Sequence, residues 1–219
     1  MEFPARLIEG YRAFVATRLP VERSRFERLA ESGQQPEVMV IGCCDSRVSP
    51  EVIFDAHPGE LFVVRNVANL VPPYSPTGST HGVSAAIEFA VLSLNVKHVI
   101  VLGHSRCGGI RAFVEHRGGT TGHDFIGNWM ALIGPAAKSV EQNGGTTAPD
   151  YITRLEQASI VATMNNLRTF PWVRDRVDDG RLQLVGAYFN VATGALKIYD
   201  PAAQAFAPVA ADLPPSAGA

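Results

Sequence analysis

Three observations predict an α/β fold: a central, mostly parallel β-sheet (four parallel strands plus an antiparallel edge strand) flanked by helices and preceded by an N-terminal helical arm. Short apolar runs recur as continuous stretches rather than alternating ones, the pattern of strands buried on both faces. Between them lie segments with apolar residues at i, i+3, i+4 spacing, which marks helices. Strands that alternate with helices imply right-handed crossovers and a parallel sheet.

Taken in order, residues 3–30 read as helical, with Phe3, Leu7, Tyr11, Phe14 and Val15 on one face. That face is available to its own domain or to a neighbouring subunit. A Gly-Gln-Gln-Pro turn at 33–36 separates it from the first strand at 38–41. Further strands are read at 61–64, 98–102 and 182–189, and residues 195–199 pair back as the antiparallel edge after the turn at Thr193-Gly194. Val83, Ala86, Ile87, Ala90, Val91 and Leu94 predict a helix between the second and third strands. Another helix spans about 151–169 and ends before Pro171. Residues 117–128 and 141–149, rich in Gly and Thr, read as loops, and the Ala/Pro-rich tail after Pro201 as loosely ordered.

Composition narrows the function classes. The 219 residues carry a net charge of −2 with no long basic or acidic block, which suggests neither nucleic acid nor an anionic membrane as partner. No apolar stretch is long enough for a membrane span, and residues 1–20 lack the apolar block of a secretory signal. Three cysteines, two of them adjacent, make a poor disulfide framework and suit a reducing compartment, so a cytoplasmic location is expected.

Two polar clusters stand at strand ends. After the first strand come Cys43, Cys44, Asp45, Ser46 and Arg47. If the chain stays extended there, Cys43, Asp45 and Arg47 project to one side and Cys44 to the other. After the third come His104, Ser105, Arg106, Cys107, Gly108 and Gly109. Ligand sites in open α/β sheets form at such carboxyl ends. Together Cys43, His104 and Cys107 form a Cys₂His set, whose thiolates and imidazole favour zinc and leave a fourth tetrahedral position open for chemistry. Cys44 would fill that position only if the strand geometry broke down. Each motif alone also fits plain packing, since a buried Cys behaves as a small hydrophobe. The run from Gly103 to Gly109 lacks the Lys-Ser/Thr ending of a phosphate loop.

The segments Cys43-Cys44-Asp45-Ser46-Arg47 and His104-Ser105-Arg106-Cys107-Gly108-Gly109 together resemble the β-class carbonic anhydrases, whose pattern is Cys-x-Asp-x-Arg with His-x-x-Cys. The likeness extends through residues 58–74 and 85–110 and is dense over roughly 34–115. It implies one Zn²⁺ per chain on Cys43, His104 and Cys107. It also implies reversible hydration of carbon dioxide to bicarbonate and a proton through zinc-bound hydroxide, and a homodimer or larger homo-oligomer. Cys44 occupies the variable position of the motif. The plant-like subgroup sets a glutamine, a phenylalanine and a valine around the substrate, and Gln34, Phe62 and Val67 fall at those positions. Its tyrosine is replaced by Phe89, and Gly108 completes the expected substrate-binding set. The noncatalytic bicarbonate pocket of the other subgroup is not expected. Arg65 is kept, but Val40 and Phe189 stand at its Trp and Tyr positions. The expected organisation is a helical arm for dimer packing over 1–35, a zinc-binding catalytic domain over 36–200 and a tail over 201–219.

On this resemblance Asp45 accepts the proton of zinc-bound hydroxide, and Arg47 holds Asp45 ionised by a two-pronged charge-assisted bond. A set with two thiolates acidifies water less than three histidines do, so activity should rise toward mildly alkaline pH. Loss of the Arg47 bond would let Asp45 swing onto zinc. His57, His81, His98, His116 and His123 are available as proton relays. Two rivals use the same residues: hydrolysis of carbonyl sulfide or carbon disulfide, and a non-catalytic zinc or thiol sensor built on Cys43 and Cys44. A zinc alcohol dehydrogenase is argued against by the lack of a Gly-x-Gly-x-x-Gly fingerprint.

Overall fold

The computed structural model describes residues 3–77, 81–116 and 124–210. The arm consists of α1 (Ala5–Ala13), a π-helical turn at Phe14–Arg18 and α2 (Leu19–Ser32), closed by Gly33 in a left-handed conformation (φ 75°). It bends at the joint, where Phe14 and Phe26 meet edge to face at 6.0 Å. No residue of α1 or α2 is buried, and Phe3, Leu7 and Tyr11 are more than half exposed. Phe3, Leu7 and Tyr11 of the apolar face read in the sequence therefore find little cover among the described residues.

Strands β1 (Val38–Cys43), β2 (Leu61–Asn66), β3 (His98–His104) and β4 (Gln183–Phe189) run parallel. β5 (Leu196–Asp200) pairs antiparallel with β4. The sheet then continues one strand further than expected. β6 (Ala205–Pro208) pairs antiparallel with β5, in the segment read as loosely ordered tail. The short Ala-Phe-Ala-Pro run gives little strand signal, and its pairing comes from the neighbour.

The strand order is β2-β1-β3-β4-β5-β6. From β1 the chain moves outward to β2, then crosses back to β3 on the other side of β1. The order therefore reverses between β1 and β3, and a crevice opens at their carboxyl ends. Cys43 ends β1 and His104 ends β3, so both stand at that switch point.

One face of the sheet is thickly covered. Met39, Ile41, Val99 and Val101 pack under α4 (Gly82–Glu88), α8 (Tyr151–Leu167) and α9 (Pro171–Asp178), with Ile87, Ile160 and Phe170 fully buried. The opposite face carries Val40, Leu102 and Ala187 at its centre. Around them Leu61, Val63, Ile100 and Leu196 are half-buried, with the short α3 (Pro50–Ile53) and Phe54 packed against them. α5 (Gly108–Glu115), α6 (Asp124–Met130) and α7 (Gly134–Gln142) pack beside the crevice.

Helix α6 corrects the loop reading of 124–128, and α7 reaches into the expected loop at 141–149. Gly127, Gly134 and Pro135 hid both, although proline in the first helical turn costs nothing. Pro171, read as a stop, also starts α9. The rest of that loop reading, 117–123 with His123, and the tail beyond 210 lie outside the described residues. Among the described residues no helix is long and apolar enough to cross a membrane.

Candidate metal centre

Cys43, His104 and Cys107 converge: their ligand atoms all lie within 4.8 Å of one another, and the three side chains are buried. A tetrahedral zinc with ~2.3 Å metal–sulfur bonds would separate its sulfurs by about 3.8 Å, so the spacing fits. The imidazole is oriented for the task. Its Nδ1–H donates to the Ser105 carbonyl at 2.9 Å, which leaves the Nε2 lone pair as the ligand atom. That Nε2 is buried with no hydrogen-bond partner. An orphaned ring nitrogen facing two buried thiols is what a soft divalent cation satisfies.

The thiols point the same way. Cys43 is pulled well below its ordinary value, first by a hydrogen bond from the Cys107 thiol, and Cys107 is pushed up by that same bond. Two buried sulfurs that share one proton release it to a cation.

Local backbone makes the convergence possible. Arg106 takes the left-handed conformation (φ 57°), which folds the loop so that His104 and Cys107 face one point. Gly109 lets α5 start close against the 3₁₀ turn Val67–Asn69, since a Cβ there would meet Val67 Cγ1 at 2.8 Å.

The segment after β1 departs from the extended path expected of it. The strand ends at Cys43, and residues 46–47 turn. The Arg47 N–H donates to Asp45 Oδ1 at 3.0 Å, and the guanidinium returns to the same carboxylate through Nε (2.9 Å) and Nη2 (2.7 Å). A turn therefore joins Asp45 to Arg47, not alternation along a strand. Asp45 Oδ2 lies 3.9 Å from His104 Nε2, beside the candidate metal position. The Arg47 guanidinium holds the carboxyl far below its usual range, so it stays an acceptor. Arg47 also reaches the Arg106 carbonyl at 3.0 Å, tying the two strand-end loops together. Cys44 is exposed and apart from the buried group.

Three further residues support the group; Arg65 and Asn66, with Asn69, read in the sequence as a polar cluster after a strand that fits a subunit contact as well as a substrate contact, and Glu156 carried no sequence signal. Arg65 donates to the carbonyls of Cys43 (2.8 Å) and Asp45 (2.7 Å), clamping the backbone on either side of Cys44. Asn66 exchanges two hydrogen bonds with the Leu70 backbone and shapes the turn below Val67. Glu156, on α8, accepts the Cys107 N–H at 3.0 Å and the Tyr188 hydroxyl at 2.7 Å. Burial raises the Glu156 carboxyl, and burial together with the Glu156 contact raises Tyr188. A glutamate in a helix reads as solvated surface, so only packing reveals it.

Of the expected substrate residues, Val67 packs in the same cluster as Cys43 and Cys107, and Gly108 follows Cys107 at the start of α5. Gln34, Phe62 and Phe89 do not join them within one chain. Gln34 is exposed in the segment before β1, whose other end carries Cys43. Phe62 pairs with Met39, four rungs of the ladder from Cys43 and Asn66, or about 13 Å. Phe89 is 46% exposed and its ring lies 5.9 Å from that of Phe62. Val40 and Phe189 share an apolar cluster.

The family model described as carbonic anhydrase matches residues 38–196. Beta carbonic anhydrase 3 of Arabidopsis thaliana is 34% identical over 198 residues, 89% of this chain and 76% of that protein. Beta carbonic anhydrase 5, chloroplastic, of the same plant is 38% identical over 183 residues, 83% of this chain and 60% of that protein. Among solved structures, the beta-carbonic anhydrase CcaA superposes with a TM-score of 0.87 at 30% identity, covering 95% of this chain and 92% of its own.

Proposed function

The chain belongs to the β class of the carbonic anhydrase family and catalyses the reversible hydration of carbon dioxide; from that premise we propose how its own residues do so. Cys43, His104 and Cys107 hold one zinc ion per chain, as two thiolates and a neutral imidazole. The observation that carries this reading is their buried convergence within 4.8 Å, with the His104 Nε2 left unpartnered. When bound, zinc supplies the Lewis acidity that makes water a nucleophile near neutral pH.

Asp45 accepts a hydrogen bond from the attacking water and so aims its lone pair at the carbon of the substrate. Arg47 keeps that carboxylate ionised and turned toward the crevice. Arg65 holds the backbone that carries both Cys43 and Asp45. Val67 and Gly108 form the near wall of a small apolar pocket.

Gln34, Phe62 and Phe89 belong to the pocket of a second copy. Among the described residues two incompletely covered apolar surfaces support a homodimer as the minimum unit: the exposed α1 face with Leu7 and Tyr11, and the half-buried sheet face around Val63 and Ile100. Residues 1–35 serve as the docking arm, residues 36–200 as the catalytic domain, and the segment from 201 adds β6 to it. Three free thiols suit the reducing cytoplasm. Cys43 is buried and Cys44 exposed, which argues against a redox pair, and no feature of the crevice favours carbonyl sulfide or carbon disulfide over carbon dioxide.

Metal analysis combined with stopped-flow hydration tests the reading. One zinc per chain and fast turnover are expected, with both lost in Cys43→Ala and both kept in Cys44→Ala. Retention of zinc by Cys43→Ala, or its loss in Cys44→Ala, would overturn the ligand set.

A further inference from the structure

A cleft of about 390 Å³ lies behind the metal group, between the first turn of α8 and the β4–β5 hairpin. Arg106, Arg111 and Lys197 line it, with Asn190 beside them and the buried Glu156 and Tyr188 at its floor. Among the described residues these three cations have neither an acidic partner nor a side-chain hydrogen bond. That is unusual in this chain. In the α/β domain Arg47, Lys97, Arg154, Arg168, Arg174 and Arg181 each pair with an acid. Arg65 and Arg176 are held by backbone carbonyls. Lys138 alone of the remaining described cations there lies outside the cleft.

The cleft also offers neutral donors. Asn190 spends its carbonyl oxygen on the N–H groups of Ala192 and Thr193, so its amide N–H₂ is left without a partner among the described residues. Glu156 is the only acid on the wall, and both its oxygens are engaged, by Cys107 and Tyr188. Three positive charges and one negative leave the cleft two charges positive. Like charges gathered round a concave surface repel one another and concentrate a counter-ion there.

We propose that this cleft is a binding site for a small dianionic oxyanion of the phosphate or dicarboxylate kind. A dianion balances the charge on the wall, and charge-assisted bonds from two arginines and a lysine hold its oxygens. The site is separate from the pocket where carbon dioxide reacts. It still touches the ligand loop, because the Arg106 side chain lines the cleft while its carbonyl accepts Arg47 Nη2.

Isothermal titration of the zinc-loaded enzyme at pH 8 tests the proposal, with inorganic phosphate, succinate and acetate as separate titrants. Phosphate, succinate or both should bind once per chain with a Kd of about 1 mM or tighter, at least about tenfold better than acetate. Added sodium chloride should weaken that binding. Which dianion binds decides between a phosphate-bearing and a dicarboxylate ligand. The double variant Arg111→Ala/Lys197→Ala should lose at least about tenfold in affinity. Its carbon dioxide hydration without added anion should be unchanged. Arg111→Glu alone should give the same loss, and it carries the test if the double variant does not fold. Two results would overturn the site: no binding of either dianion at tens of millimolar, or equal binding by wild type and variants, which assigns the anion to the metal.

Discussion

The carboxylate of Glu156 accepts the backbone N–H of Cys107 at 3.0 Å, across 49 residues of sequence. Its other oxygen takes the Tyr188 hydroxyl at 2.7 Å, so one buried group on α8 links a proposed metal ligand to the central sheet. Removing it strands a backbone donor and a phenol in the core. Glu156→Ala should lower unfolding stability by about 1–3 kcal/mol for each donor left unpaired. Glu156→Gln, which keeps an acceptor oxygen, should lose less. Urea unfolding measures both, and zinc release to a chelator should be faster in the alanine variant.

Tyr188 makes stability sensitive to alkali. Burial and the Glu156 carboxylate raise its ionisation above the ordinary tyrosine value of about 10. The folded state then binds the phenolic proton more tightly than the unfolded chain does. Its contribution is fully present below pH ~10 and is lost as pH rises from there through the folded-state value. Urea midpoints at several pH values should fall above pH ~10 more steeply in the wild type than in Tyr188→Phe. Parallel curves would remove Tyr188 as the cause.

Asp45→Asn keeps the shape of the side chain and removes its charge. The Arg47 N–H and Nε hold the amide oxygen at the Oδ1 position, so the N–H₂ takes the Oδ2 position and the acceptor facing His104 Nε2 becomes a donor. Stopped-flow hydration should drop by about 10²-fold or more, with the zinc content unchanged. Arg47→Ala should also be impaired, because the freed carboxylate can turn toward the metal. A crystal structure of that variant with Asp45 still clear of the zinc would show that Arg47 acts otherwise.

The arm carries the assembly prediction. Leu7→Arg with Tyr11→Arg places charge on a face that is exposed in the single chain and costs nothing there. Light scattering should nevertheless show a smaller particle than the wild type, because the partner loses its docking surface. Hydration should fall with the mass if Gln34, Phe62 and Phe89 complete a neighbour's pocket. An unchanged mass would return the arm to its own domain.

The four parallel strands were legible because each is a run of apolar residues at the place where the sheet is buried, as at residues 38–41 and 98–102. Helix α4 was legible from its period, and α8 was read over nearly its full length ahead of Pro171. β6 was not, since Ala205 to Pro208 has almost no strand preference and pairs because β5 leaves an edge free. Helix α7 was hidden by Gly134 and Pro135, which sit harmlessly in its first turn, and α6 by Gly127 at its centre.

By itself the sequence determined the fold class and the family, and it pointed to a candidate ligand set with Asp45 and Arg47 beside it. Strand and helix periods are local properties of the backbone, and a soft metal needs residue types that composition rarely places at two strand ends together. Tertiary structure alone decided which residues support that set. The turn at Asp45–Arg47, the grip of Arg65 on the Cys43 backbone and the reach of Glu156 to Cys107 depend on how elements far apart in sequence settle against one another. So does the distance from the crevice of Gln34, Phe62 and Phe89. Register and packing angle set those contacts, and no short stretch of chain encodes either.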